Sequence, residues 1–336
     1  MTSGSSWSRR GSPARPPAAA EATTIARARS MTRARGAVRV RLTHLGAAGW
    51  EITDGQRVIL MDPYLSRLRY RARFGLLDTP ELPGDTRRVF GPDDDLVSDT
   101  AAVDARITRA DFILISHSHF NHTLDMPYIA RKTGATVIGT ESTTILARAG
   151  GVPDSQLLTV RGGEDYEFGA LSIKVIPSLH SALNGKHYYD GRVVPRDFRG
   201  PRRMDNDVEG GTLAYLLRLA GYRILWFGSM NYLEREVQGL RPDVALIAAA
   251  RQRLEIHEYT SRLMRALDRP PLVFATHWDE QSLPYGAPQD ARLREADVFA
   301  QEVKAVSPRT RVVVPKHFES HVLKPINPES GRFAHR

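Results

Sequence analysis

Three histidines fall within six residues, in the run Ser116-His117-Ser118-His119-Phe120-Asn121-His122. The apolar run Phe112-Ile113-Leu114-Ile115 leads straight into them, so the cluster reads as a loop at the end of a buried strand. Side chains two apart in an extended segment point the same way, which sets His117 beside His119. His122 falls near the start of the next helix and approaches from the side. Neutral imidazole is the commonest ligand of zinc and its neighbours. Three imidazoles at this density point to a bound divalent ion, whose chemistry is polarisation of a carbonyl or phosphoryl oxygen and activation of water. Three scattered surface histidines are the alternative, and a buried strand feeding the cluster argues against it.

Further chemistry-bearing residues follow other apolar runs. His180 comes just after Ile176-Pro177-Ser178-Leu179, and His277 ends Phe274-Ala275-Thr276-His277-Trp278-Asp279. Asp62 follows Ile59-Leu60-Met61, and Gly228-Ser229-Met230-Asn231 follows Ile224-Leu225-Trp226-Phe227. Residues that each end a strand can meet at one edge of a sheet.

The run His117-x-His119-x-Asn121-His122 resembles the HxHxDH signature of the metallo-β-lactamase superfamily, and the late strand ending in His277-Trp278 resembles its L-ascorbate-6-phosphate lactonase-like branch. The resemblance implies a four-layer αββα sandwich with metals at the strand ends along one edge. It implies a first metal site of His117, His119 and His180, and a second that pairs His122 with His277. It gives Asp62 a supporting role, orienting the histidine loop through hydrogen bonds. Two positions depart from the family. Its Asp in the signature is Asn121 here, and its metal-bridging Asp is replaced by Ser229 or Asn231. Two close divalent ions repel each other, and anionic ligands normally offset that repulsion. Loss of two carboxylates therefore predicts one tight site, with zinc expected and Mn2+ or Fe2+ as alternatives, and a weak or empty second site. Asn121 offers only a carbonyl oxygen. Asp279, Asp125, Asp205 and Asp207 are candidate replacement carboxylates, with Asp279 best placed and Asp279 or Asp125 as general base. The function implied is a hydrolase of a small lactone, ester or phosphoester. A metal-binding or regulatory protein that does not hydrolyse is the competing reading.

The elements needed to place these residues are legible. Strands are expected at Val38–Leu42, Trp50–Ile52, Arg57–Met61, Phe112–Ile115, Thr136–Ile138, Leu171–Ile176, Leu213–Leu219, Tyr222–Phe227, Asp243–Ile247, Leu272–Ala275 and Arg311–Val314. Helices are expected at Thr123–Lys132, capped by Gly134, and at Ser142–Ala149, His257–Leu267 and Asp290–Val303. Early hairpins followed by strand–helix alternation suit two sheets with helices outside. The stretch from Tyr64 to about Ala105 reads as irregular.

Composition bounds the rest. The 336 residues are 41% hydrophobic and 25% charged, ordinary for a globular chain. No cysteine is present, which removes disulfides, thiolate metal sites and cysteine nucleophiles. No apolar run approaches the roughly 18 residues of a membrane span. The net charge is +9, but nine arginines against the single acid Glu21 precede Leu42. Basicity therefore belongs mostly to residues 1–36, read as a disordered leader, and the chain after Arg41 is near neutral; the domain is taken as 37–336. That balance disfavours a nucleic-acid-binding face, which needs its basic residues on the folded surface. A transit peptide and a start at Met31 are alternatives for the leader; the domain itself is expected in the cytoplasm. Oligomeric state is not legible. Two segments are expected to overhang the site and bind a small, anionic substrate. One is Tyr64–Phe74, with Arg67 and Arg69 on a basic face; the other is 184–207, with His187, Tyr188, Tyr189, Arg196, Arg202 and Arg203.

Overall fold

A computed structural model describes residues 39–71, 78–183, 187–188, 191–204 and 207–324, with the side chains at 183, 187 and 188 excepted. The leader 1–36, and Arg73, Tyr189 and Asp205, lie outside them.

The strands in chain order are β1 (Arg41–Gly46), β2 (Gly49–Thr53), β3 (Val58–Met61), β4 (Arg69–Tyr70), β5 (Val89–Phe90), β6 (Phe112–Leu114), β7 (Thr136–Gly139), β8 (Leu157–Thr159) and β9 (Asp165–Phe168). There follow β10 (Leu171–Pro177), β11 (Ala182–Leu183), β12 (His187–Tyr188), β13 (Leu213–Leu219), β14 (Tyr222–Phe227), β15 (Val244–Ala248), β16 (Leu272–Thr276), β17 (Arg311–Val313) and β18 (Ser320–Val322). The helices are α1 (Thr100–Asp104), α2 (Phe120–Thr123), α3 (Met126–Thr133), α4 (Glu141–Ala149), α5 (Glu234–Val237), α6 (Tyr259–Ala266) and α7 (Asp290–Val306).

Two seven-stranded sheets form the centre, ordered β18-β1-β2-β3-β6-β7-β8 and β17-β16-β15-β14-β13-β10-β9. Each joins an antiparallel half to a parallel half. The period-2 alternation of strands explains the layering. Ile59, Met61 and Leu114 face the second sheet and join Trp50, Tyr215, Trp226 and Phe274 in the central core. Their neighbours Leu60, Ile113 and Ile115 face outward, against Val103 of α1 and Met126, Ile129 and Ala130 of α3. On the other side Ala245, Ile247 and Val273 pack under Leu263 and Met264 of α6 and Ala296, Phe299 and Val303 of α7. This is the expected αββα sandwich.

Gly134 does cap α3, in the left-handed conformation at φ 77°. The helix expected over Thr123–Lys132 is instead two helices, α2 and α3, broken at Leu124-Asp125. Pro127 lies in the first turn of α3, where a missing N–H is harmless. The stretch after Tyr64 holds the short parallel pair β4–β5 and helix α1. Among the described residues no helix is long and apolar enough to cross a membrane.

Candidate metal centre

Strands β3, β6, β10, β14 and β16 deliver the site from their carboxyl ends, the edge where open α/β sheets commonly bind ligands. The histidine loop leaves β6. It is tied to the second sheet where Leu213 N–H donates to the Ser116 carbonyl at 2.8 Å. All five expected imidazoles line one cavity of about 320 Å3. The ring centroid of His117 lies 4.8 Å from that of His119, 3.9 Å from His122 and 4.6 Å from His180. His122 and His277 are 5.4 Å apart. One potential ligand atom from each of His117, His119 and His180 falls within 4.8 Å of the others.

Asp62 sits beneath the loop with its side chain fully buried. Its Oδ1 accepts Ser116 N–H at 2.8 Å, and its Oδ2 accepts the Ser116 hydroxyl at 2.5 Å and His122 Nδ1 at 2.5 Å. Burial pushes its carboxyl well above the usual range, and the two Ser116 donors pull it back. The Ser116 proton goes to Asp62, so Ser116 Oγ takes the proton of His117 Nδ1, 2.9 Å away. That leaves the His117 Nε2 lone pair for the cavity, where Nε2 is buried without a hydrogen-bond partner. His180 is set the same way, its Nδ1 donating to the Ser181 carbonyl at 2.9 Å. Ser229 and Asn231 hold this second loop: Ser229 Oγ accepts Ser181 N–H at 2.9 Å, and Asn231 Nδ2 donates to the His180 carbonyl at 3.2 Å. Both therefore support a histidine.

Four of the rings, His117, His122, His180 and His277, are held below the usual imidazole range, which keeps them neutral near pH 7. Burial, then the neighbouring His122, His180, His119 and His277, holds His117 well below the usual imidazole range. Burial and His119 bring His180 down to about 3. Uncharged rings with free lone pairs are the donor set a divalent ion needs.

Glycine is required at 228. A Cβ there would meet Ser116 Oγ at 2.1 Å and Asp62 Oδ2 at 2.6 Å. Gly228→Ala is expected to cost about 1–3 kcal/mol by overpacking, read as a lower denaturant midpoint. It should also weaken metal retention, because the displaced pair orients His117 and His122.

Several expected residues are placed otherwise. Arg67 is 1% exposed and turned into the protein rather than the cavity. It donates to Asp279 Oδ2 at 2.7 Å and to the Leu283 and Glu280 carbonyls at 2.5 and 2.6 Å. Its φ of 44° breaks the alternation that suggested an extended basic face. Arg69 pairs with Glu81 at 3.0 Å and the Asp85 carbonyl at 2.7 Å. Neither lines the cavity, which corrects their assignment to substrate. Asp125 is also absent from the wall. Its buried carboxyl takes Leu65 N–H, Ser66 N–H and the Ser66 and Ser98 hydroxyls, so it clamps a loop rather than serving as a base. Asp279 reaches the wall, but both its oxygens are used: Oδ1 by Ala47 N–H at 2.9 Å, Oδ2 by Arg67 and by His317 Nε2 at 2.8 Å. Burial opposes its ionisation, yet Arg67 and His317 hold its carboxyl well below the usual range. It is a buried ion-pair partner, unsuited to accept a proton. Asn121 lines the cavity and donates its amide to Gln281 at 2.8 Å. His187 and Tyr188 form strand β12 beside β11, and their side chains lie outside the described residues.

The sequence reading named Asp207 as a candidate carboxylate and Arg202 on an overhanging segment, but missed that both support the histidine loop. Asp207 caps α2 by accepting Phe120 N–H at 3.0 Å, and Arg202 grips Asp207, Thr123 and the Ser118 carbonyl. Asp62 (φ 38°) and His277 (φ 50°) adopt the left-handed conformation that non-glycine residues seldom occupy. No residue type signals this. Such strain clusters at functional sites.

Behind His277 lies a second buried imidazole group. His44 is fully buried against Trp50 and His317, and burial brings its pKa to about 4, below the 6.5 of an exposed ring. The unfolded chain therefore binds the extra proton as pH falls below 6.5, and stability drops until about pH 4. His44 alone is expected to cost about 2 kcal/mol between pH 7 and pH 5. Denaturant titrations should show a smaller loss over that interval in His44→Gln.

Residues 41–277 match the family model described as the beta-lactamase superfamily domain. The chain belongs to this superfamily. Among curated relatives it resembles a UPF0173 metal-dependent hydrolase of Staphylococcus aureus strain JH9, 33% identical over 135 residues. That match covers 39% of this chain and 56% of the relative, so the chain spans little more than half the length of the relative. Igni18, a metallo hydrolase of Ignicoccus hospitalis, superposes with a TM-score of 0.51 at 17% identity, over 85% of this chain and 99% of its own. An isothiocyanate hydrolase from Delia radicum gut bacteria superposes with a TM-score of 0.53 at 16% identity, over 84% and 98%. These two likenesses concern the β-lactamase superfamily fold.

Proposed function

We propose that this β-lactamase superfamily protein is a metal-dependent hydrolase in which His117, His119 and His180 hold one divalent ion, with zinc foremost and Mn2+ or Fe2+ as alternatives. The observation that carries the reading is the His117 Nε2 atom, buried, unpartnered and gathered with the ligand atoms of two further imidazoles. Bound there, such an ion supplies a Lewis acid and brings the pKa of water towards about 7.

The chain's own residues supply orientation. Ser116 and Ser181 fix which nitrogen of His117 and His180 faces the cavity, and Asp62 does so for His122. Such outer partners are worth about 10–100-fold in metal affinity or activity. His122 and His277 form the weaker second position, because Asn121 and Ser229 bring no charge to it. The substrate is a small lactone, ester or phosphoester. We assign residues 1–36 to the basic leader and 37–336 to the superfamily domain.

A non-hydrolytic metal-binding protein is the second reading, favoured by the neutral Asn121 and Ser229. Metal analysis and a panel of ester, lactone and phosphomonoester probes separate the two. The proposal expects about one ion per chain and turnover by the wild type. An inert wild type that gains activity as Asn121→Asp would select the second reading.

A further inference from the structure

Besides the imidazoles, two residues that line the cavity carry a buried polar atom without a hydrogen-bond partner. Trp278 is 4% exposed and lines the cavity, and its Nε1 is buried without a hydrogen bond. Its ring is fixed against His317, with centroids 5.7 Å and planes 9° apart. Gln252, on the single helical turn Arg251–Glu255, lines the same cavity, and its buried Oε1 is likewise unpartnered. Buried unsatisfied groups are rare in native proteins, and each calls for an explanation. A ligand that completes them is the explanation a cavity wall suggests.

The charges on that wall are already matched. Arg292 is its one arginine or lysine among the described residues, and it pairs with Glu280 at 2.7 Å and Glu295 at 3.1 Å. The wall acids are matched too: Asp279 with Arg67, Asp207 with Arg202, and Asp78 with Arg71. Apart from an ion at the imidazoles, recognition of phosphate or carboxylate uses a free guanidinium or ammonium, and the described wall residues offer none. Phe120, Met204 and Met230 supply apolar wall between the polar points.

We infer that the cavity selects an uncharged substrate, an ester or lactone whose carbonyl lies on the imidazole side of the cavity and whose second oxygen accepts a hydrogen bond from Trp278 Nε1. Gln252 pairs with a further hydroxyl or amide of that substrate, and its amide can turn over to present either end. Trp278 and Gln252 are thus specificity-determining residues, and phosphomonoesters are poor substrates. The reaction, which rests on the hydrolase reading, breaks the acyl C–O bond: the oxygen of water joins the acyl carbon and a proton goes to the leaving oxygen. Binding does not rest on that reading.

The test therefore has two arms. In the first, 1H–15N spectra follow the indole N–H signals of the full-length protein, with the Trp278 signal assigned by its loss in Trp278→Phe. Acetanilide, an uncharged amide, should move that signal downfield and saturably, and phenyl phosphate should leave it in place. A response to phenyl phosphate alone, or to neither probe, overturns the inference. In the second arm, kcat/KM for phenyl acetate should exceed that for phenyl phosphate at least tenfold. Trp278→Phe and Gln252→Leu should each lower the phenyl acetate value about tenfold, chiefly through KM. Preferential cleavage of phenyl phosphate would overturn the inference and leave the hydrolase reading standing. A Trp278 shift with acetanilide but no cleavage of any probe would do the reverse.

Discussion

His117→Ala is expected to strip the protein of its tightly held divalent ion and to lower hydrolysis at least about 100-fold, beyond the 10–100-fold that an outer-shell change costs. The reason is geometric. His117 packs against three of the other four rings, with centroids 3.9 to 4.8 Å from His119, His122 and His180. Removing it breaks the triad and leaves the Ser116 hydroxyl without its His117 partner. Asp62→Ala is the informative control. It spares every ring but frees His122 and Ser116, so its loss should fall inside the 10–100-fold range. Metal content by mass spectrometry and probe turnover, read on the same samples, check both. Equal metal content in wild type and His117→Ala would count against the assignment.

Asp279→Ala should destabilise the protein by about 3–5 kcal/mol, the cost of leaving a buried charge without its partner. Arg67 and Asp279 have side chains 2% and 0% exposed. With the carboxylate gone, the guanidinium keeps the carbonyls of Leu283 and Glu280 and the face of Tyr285 but no counter-charge, and Ala47 N–H loses its acceptor. Ala47 also accepts His277 N–H at 2.8 Å, so the loop carrying His277 should loosen. A denaturant midpoint measures the first effect. The double variant Arg67→Met/Asp279→Leu discriminates the cause: it removes both charges and should recover much of the loss, because apolar replacement of a buried pair is often nearly neutral. If the single variant were as stable as wild type, Asp279 would not be the buried partner described above.

These two residues also mark where sequence reading succeeds and fails. The histidine loop was legible because its information is local: an apolar strand, then rings at alternating positions. Asp62 was legible for the same reason, standing where a strand ends. Arg67 was not. Its alternation with apolar neighbours suggested a basic edge, whereas a left-handed backbone turns it inward onto Asp279, 212 positions away. Asp125 misled because it follows the histidine loop closely, yet its hydrogen bonds run to Ser66 and Ser98, neither of which lines the cavity. The same distance effect hid β18, three residues that are a strand only because Arg41–Thr43 pairs with them. The layers themselves were predictable, since they follow from period-2 alternation in strands rich in Ile, Leu and Val.

The central claim is that His117, His119 and His180 together ligate one divalent ion. Anomalous scattering at the zinc edge, from crystals of protein purified without chelators, tests it most directly. The account predicts one strong peak about 2.0–2.1 Å from a nitrogen of each ring, with any second peak, between His122 and His277, much weaker. A strong peak elsewhere in the molecule, or none at these three rings, would contradict it.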